Sequence, residues 1–443
     1  MMTSSWSPDA IGKIRVSLTS QISPSEVLTG SRTIVVGAGI VGAASAIWLK
    51  RAGHDVTLID KGEPGMGASY GNGCILASCS VAPVTAPGLI QKGPKYLADP
   101  NFPLFMRWSY VPKLVPWLVR YLSHANDNDT RRISKGLTTV VGDSLEQHQA
   151  LTAGTNAANW VQESEYNFVY KDRAAFDADA YTWNLRREAG FVPELIEGPE
   201  VQEKEPILSK DINLLAVNKN HGFILNPGDY VKDLVKVLED LGGTFVQAEV
   251  KDFDLSGGHI SAVDTDQGRF HCDQAVLAAG VWSKPLMQKL GINVPLEAER
   301  GYHIVFKNPN LTPNNPMMLA AGKFVATSMN QGLRCAGIVE FGGLSDTPSK
   351  APLKLLRKKV REIFPEMTAE SDEEWLGFRP APSDSLPLIG EVGDTGVYAA
   401  FGHHHIGLTG GPKTGRMIAD LITDARINYD TSPFHPKRFA KGA

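Results

Sequence analysis

The chain has 443 residues, 42% apolar and 21% charged, long enough for two or three domains. A net charge of −4 gives no electrostatic reason to expect a nucleic-acid partner. No segment reaches the roughly 18 uninterrupted apolar residues of a membrane-spanning helix, and four scattered cysteines (Cys74, Cys79, Cys272, Cys335) disfavour a disulfide framework and suit a reducing compartment.

Residues 1–30 lack a charged start followed by an apolar core, so a peripheral or weakly ordered extension is expected there. Residues 33–36 are apolar and mostly β-branched, which suits a strand buried on both faces. Gly37, Gly39 and Gly42 follow in G-x-G-x-x-G spacing, residues 43–49 read as helix, and residues 56–59 read as a second strand ending at Asp60. The spacing fits a dinucleotide site: a tight turn, close approach of a pyrophosphate, close helix–strand packing, and a carboxylate for a ribose diol. Asp60 disfavours NADP, whose 2′-phosphate it would repel, but leaves NAD and FAD open.

The turn-rich segment 61–67 leads into small residues at 68–73, which suit contact with a flat ligand or phosphates, or a plain loop. Residues 80–103 hold many prolines and glycines and read as an irregular crossing. Residues 104–122 mix Trp108, Tyr110, Trp117 and Tyr121 with Arg107, Lys113 and Arg120, and are broken by Pro112 and Pro116. A kinked helix packed on the domain fits this, and a membrane-interface segment is the alternative. Residues 130–165 read as helical, 198–206 as a short helix, and a further helix opens at 226–230. A β-rich stretch follows over 244–250, 260–265 and 268–272, then a buried strand running into Ala279 and Gly280, with helix at 281–290. Strands are expected at 303–306, 324–327 and 333–341, a helix at 353–363, a strand at 397–401 and a final helix at 414–423.

Alternation leaves open whether Tyr302 or His303 faces a ligand. Arg379 sits at a proline-flanked apolar strand end, where its planar fork suits a carboxylate, the alternative being a structural ion pair. His403, His404 and His405 suggest a metal, but neighbours on an extended chain point to opposite sides, so no metal is expected. Cys335 reads as a buried apolar residue.

The fingerprint, residues 68–73, 276–283 (VLAAGVWS), 377–380 (GFRP), 385–390 (SLPLIG) and 402–409 (GHHHIGLT) occur in order. Over about residues 31–425 the chain resembles the FAD-dependent D-amino-acid oxidase superfamily, and within it the bacterial D-amino-acid dehydrogenases and their hydroxyproline-handling relatives. The resemblance implies an α/β (α+β) two-domain protein. A Rossmann-like three-layer FAD domain would be assembled from 31–90, 195–295 and 370–430. A substrate domain with a mixed, mostly antiparallel sheet would comprise 91–194 and 296–369, leaving 431–443 as a tail.

It further implies that Gly37, Gly39, Ile40, Val41 and Gly42 hold the pyrophosphate, and Asp60 and Lys61 the adenosine ribose end. Ser69, Gly71, Asn72 and Gly73 would line the phosphates or flavin, Val250 would meet the adenine, and Ala279, Gly280 and Trp282 would approach the cofactor. Gly402, Ile406, Gly407, Leu408 and Thr409 would lie at the pyrimidine end of the flavin. Arg379 would grip the substrate carboxylate, with His404, Tyr302 and His303 as further catalytic candidates.

The activity so implied is oxidation of a small D-amino or cyclic imino acid at Cα–N by hydride transfer to the flavin. Electrons would pass to a quinone or oxygen, in a cytoplasmic protein with peripheral contact at the inner membrane face as an open alternative. Competing readings are an oxygen-using oxidase of glycine- or sarcosine-type amino acids, a flavin subunit of a larger complex, and an NAD-binding module without flavin.

Overall fold

The computed structural model describes residues 30–440, so the expected 1–30 extension falls almost wholly outside them. A six-stranded sheet runs in the order Leu388–Glu391, Val397–Phe401, Gln274–Leu277, Arg32–Val36, Asp55–Asp60, Thr244–Gln247, parallel except for its first pair. Val35 packs into one core with the helices Ile40–Arg51, Pro227–Asp240 and Gly407–Ile422. Ile34 and Val36 pack into a second core with the three-stranded sheet Val250–Ser256, His259–Thr265, Gly268–His271 and the helix Ser283–Lys289. A strand buried on both faces needs apolar residues at every position, hence the unalternating start of the fingerprint.

The other sheet has ten strands and is mostly antiparallel. Its main path is Ser371–Pro382, Leu296–Lys307, Gly332–Phe341, Phe324–Met329, Met317–Leu319, Val161–Tyr170, Leu214–Ile224, Ile75–Leu76. Met317–Leu319 and Leu104–Met106 pair in parallel, with Val161–Tyr170 and Gly332–Phe341 respectively. One face of this sheet buries the helix Lys350–Ile363. The two architectures give the α/β fold expected from the sequence.

Several local expectations need correction. Residues 80–103 contain a helix, Leu89–Ala98. The 130–165 stretch resolves into helices Asp127–Val141 and Ser144–Thr152, and its end joins the strand Val161–Tyr170. Pro112 and Pro116 do not break the helix Val111–Ser123: Pro112 lies at its start, where no N–H is needed, and Leu114, Trp117 and Tyr121 bury one face.

The last helix begins at Gly407, not near 414. Pro412 cannot donate to the Leu408 carbonyl four residues earlier, but that carbonyl accepts from His148 Nε2 at 2.9 Å instead. The supposed tail also docks: Phe434 is buried and Arg438 Nε bonds Asp384 Oδ2 at 2.7 Å.

Candidate active site

A cavity of about 1580 Å³ runs from the fingerprint, past Gly71–Gly73, to Arg379 and the His403–His405 turn. Gly37 adopts φ +108°, and a Cβ there would sit 2.6 Å from the Ala278 carbonyl oxygen. A Cβ on Gly42 would overlap the Gly37 carbonyl, so helix and strand touch as the fingerprint requires. Ser69 Oγ accepts the Ile40 N–H at 3.0 Å, pinning the 68–73 segment to the helix start. Asp60 accepts the Ala38 N–H at 2.7 Å and the Gly62 N–H at 2.9 Å, which fixes its carboxylate at the cavity wall with lone pairs to spare. Lys61 Nζ stands 3.8 Å above the Trp282 ring, and both residues line the same end with Val250, Ala279 and Gly280. These residues fit a dinucleotide's adenosine diphosphate half.

At the far end, Gly402 and Ile406–Thr409 line the cavity, and the helix Gly407–Ile422 starts there with no acidic residue in its first turn. Its free N–H groups favour negative charge. The turn before it is held from two sides. His148 donates to Leu408 O and accepts from the Tyr230 hydroxyl at 2.8 Å, and His403 Nε2 meets Thr414 Oγ1 at 2.8 Å. Burial lowers the pKa of His148 to about 4 and of His403 to about 3, so both stay neutral.

The centre of this end is a residue that sequence reading passed over. Glu299 lies on Leu296–Lys307 and is buried. Its Oε1 accepts from Arg379 Nη1 at 2.6 Å and its Oε2 from His404 Nε2 at 2.6 Å, while His405 Nδ1 lies 3.6 Å from Oε1. Burial alone would raise the Glu299 pKa; the adjoining His405, His404 and Arg379 outweigh it and hold the carboxyl well below its ordinary range. The available signal was a pair of alternating glutamates, 297 and 299, near the start of that strand and in line with Gly301. A Cβ on Gly301 would meet Arg379 Cζ at 2.5 Å, so the guanidinium lies flat on bare backbone.

Arg379 and His404 therefore come together as expected, whereas Tyr302 does not join them. Strand alternation turns Tyr302 to the opposite face, where its hydroxyl bonds Glu340 at 2.6 Å within a buried core. His303 shares the Glu299 face but is covered by Trp375, stacked at 5.0 Å between ring centroids, and its Nδ1 meets the Gly71 carbonyl at 3.3 Å. His404 has φ +49°, so the chain is not extended there and the His404 and His405 rings lie side by side, tilted, with centroids 3.6 Å apart. The expectation that neighbouring histidines diverge fails for this pair. Donor atoms of Glu299, His404 and His405 lie within 4.8 Å of one another, yet Arg379 already occupies the same carboxylate, so an added cation would meet a fixed positive charge.

Comparison with known proteins gives a consistent pattern. The family described as FAD dependent oxidoreductase, DAO, matches residues 32–421. The D-amino-acid oxidase of Bradyrhizobium diazoefficiens is 37% identical over 418 residues, covering 93% of this chain and 99% of that protein. The D-amino acid dehydrogenase of Rhizobium rhizogenes is 27% identical over 420 residues, covering 92% and 100%. Two solved structures share the fold at 20% identity. L-proline dehydrogenase from P. horikoshii has a TM-score of 0.71 and covers 93% of this chain and 98% of that one. Glycine oxidase from Bacillus cereus has a TM-score of 0.67 and covers 90% and 96%.

Proposed function

Because the chain belongs to the FAD-dependent oxidoreductase family DAO, we propose that it oxidises the Cα–N bond of a small D-amino or cyclic imino acid held at Arg379. The observation that carries this reading is the Arg379 guanidinium, fixed at one nitrogen by buried Glu299 and open to the cavity elsewhere.

Bound FAD supplies the two-electron acceptor. The chain's own residues bind and orient. Arg379 takes the substrate α-carboxylate through the guanidinium edge that Glu299 leaves free. Glu299 and the Gly301 backbone set the plane of that fork, and so the direction of Cα–H. His404, donating to Glu299, closes the wall beside it. The substrate ammonium gives up one proton to water, Cα–H leaves with its electron pair, and the nitrogen lone pair forms C=N. The imine then hydrolyses unless it is cyclic. No general base is needed and none is assigned.

Arg379→Ala should raise KM about 10–100-fold, the range of a lost hydrogen bond to a charged group, while flavin absorbance per mole of protein stays at the wild-type value. Unchanged kinetics with a carboxylate substrate would sink the assignment.

For the electron acceptor, one observation favours a lipophilic quinone met at a membrane surface over oxygen. Val84, Ile90, Leu97, Trp108, Val115 and Val119 are exposed, and Ile90 and Leu97 also line the cavity, so it reaches the surface through apolar residues. Asp99 is the only acid between Glu63 and Asp127, a stretch carrying Lys92, Lys95, Arg107, Lys113 and Arg120. Among the described residues no helix is long and apolar enough to cross a membrane, so contact here would be peripheral. Anaerobic reoxidation of the reduced enzyme by a soluble quinone, set against reoxidation by air, discriminates the two acceptors.

A further inference from the structure

The cavity wall holds a second cation that the proposed reaction leaves unused. Arg186, on the helix Ala180–Glu188, lines the cavity and is only 8% exposed. Its guanidinium carbon lies 4.4 Å from the Phe168 ring centroid and 4.5 Å from that of Trp183, so two aromatic faces fix its position. Nε and Nη1 are buried without a hydrogen-bond partner. Asp179 Oδ2, at 4.0 Å from Nη1, is too distant for a hydrogen bond and already accepts from the Tyr170 hydroxyl at 2.8 Å.

The other buried arginines are accounted for differently. Arg300 bonds Glu340 at 2.6 Å. Arg334 gives Nη1 to the Tyr70 and Asn72 carbonyls at 2.6 and 2.9 Å and leaves Nε and Nη2 unpaired, but it is not part of the cavity wall, so no cavity ligand could reach it. A buried, always-charged group with free N–H bonds is costly unless something anionic completes it. A planar fork held between aromatic rings matches a carboxylate. Thr182, one turn earlier on the same helix, and Ser80 add hydroxyls to the same cavity.

We propose that Arg186 forms a second anion subsite of the cavity, for a carboxylate group distinct from the one held by Arg379. The carboxylate has two sources: the far end of a dicarboxylic amino-acid substrate, or a separate small carboxylate bound beside it. The first source rests on the function proposed above; the second does not.

The test uses FAD-loaded wild type, Arg186→Met, Arg186→Lys, Arg379→Ala and the Arg186→Met/Arg379→Ala double variant. Flavin content and melting temperature are checked for each, and Arg186→Lys keeps the charge should Arg186→Met fail to fold. If the substrate supplies the carboxylate, wild type prefers D-glutamate to its neutral isostere D-glutamine at least about tenfold in kcat/KM, roughly one charged hydrogen bond. Arg186→Met brings that ratio near one, and Arg186→Lys retains part of it.

If the carboxylate is separate, the ratio is near one throughout. Acetate then still perturbs the flavin spectrum of Arg379→Ala, and loses that effect in the double variant. The inference is overturned if Arg186→Met keeps the wild-type ratio and acetate acts alike on Arg379→Ala and the double variant. Failure of Arg379→Ala to raise KM refutes the function reading alone, since the acetate titrations do not depend on turnover.

Discussion

At the scale of single residues, Glu299 joins Arg379 to His404, and in the proposed reaction it is the anchor of the substrate-binding fork. Glu299→Gln keeps the shape and removes the charge. Arg379 then bonds a neutral oxygen, and its plane is less firmly held. The expected result is a fall in kcat/KM of about 10–100-fold, following the about 1.5–3 kcal/mol of a hydrogen bond to a charged group, with KM carrying most of it and flavin content unchanged. Steady-state kinetics beside flavin absorbance checks this; an unaltered KM would mean that Arg379 needs no anchor. Because its neighbours hold Glu299 ionised well below the ordinary carboxyl range, its contribution to stability is present above that range and lost only as pH falls through its lowered folded value.

Arg379 was legible in the sequence because an arginine beside prolines in an apolar segment is conspicuous. Glu299 was not, since a glutamate in a strand is ordinarily a solvent-facing residue. Only the pairing of Leu296–Lys307 with Ser371–Pro382, which sets Glu299 opposite Arg379, gives it a role. Arg186 was hidden for a related reason: Trp183 of its own helix covers one side, but the Phe168 ring on the other side comes from the strand Val161–Tyr170.

At the scale of elements, the helices Ile40–Arg51 and Gly407–Ile422 present their N-termini to the two ends of the cofactor cavity, so their crossing sets the geometry of both. They cross on small residues: a Cβ on Gly415 would sit 2.6 Å from the backbone of Ala44 and Ser45. Gly415→Val therefore forces the helices apart. An overpacking cost of about 1–3 kcal/mol is expected, together with weaker FAD retention, read by denaturant unfolding and by flavin release on dilution. Loss of stability without loss of cofactor would show that the crossing does not set the site.

The same helix carries a pH signature through His148 and His403, whose folded pKa values, about 4 and about 3, lie below the ordinary 6.5. Below 6.5 the unfolded chain takes up protons that the folded chain refuses, so stability falls with acid by up to about 1.4 kcal/mol per pH unit for each histidine. Unfolding free energies at about pH 7 and about pH 5.5 should show this slope, reduced in His403→Gln. The sequence placed the start of this helix too late because Pro412 and paired glycines resemble a loop. What overrides that pattern is a histidine donated from Ser144–Thr152, far away in sequence. By contrast, the fingerprint was fully legible, because its strand, turn and helix are neighbours along the chain and Gly42 answers a contact with Gly37 inside the same turn.

At the scale of the whole molecule, charge and apolar exposure are unevenly distributed although the net charge is only −4. Trp108 is 74% exposed, and Val84, Ile90, Leu97, Val115 and Val119 are exposed within residues 84–120, a stretch with one acid and five lysines or arginines. Scattered exposed apolar residues need no explanation, but this concentration beside a cavity opening does. An amphipathic surface of this kind binds anionic lipid through two additive terms: insertion of apolar side chains, and about 1 kcal/mol for each basic residue near the headgroups. The electrostatic term decays with salt, because the screening length shortens from about 10 Å at 0.1 M to about 3 Å at 1 M, whereas the apolar term does not. The protein should therefore co-sediment with vesicles containing anionic lipid and much less with neutral ones, and 1 M salt should release most but not all of it. Trp108→Ser combined with Val119→Ser should weaken the salt-resistant part, and Lys113→Gln with Arg120→Gln the salt-sensitive part. Neither pair lies among the residues assigned to substrate, so turnover with a soluble dye acceptor reports whether the site is intact. Equal sedimentation with anionic and neutral vesicles, or none with either, would remove the membrane surface as the place where electrons leave, and would return the acceptor to oxygen or a soluble carrier.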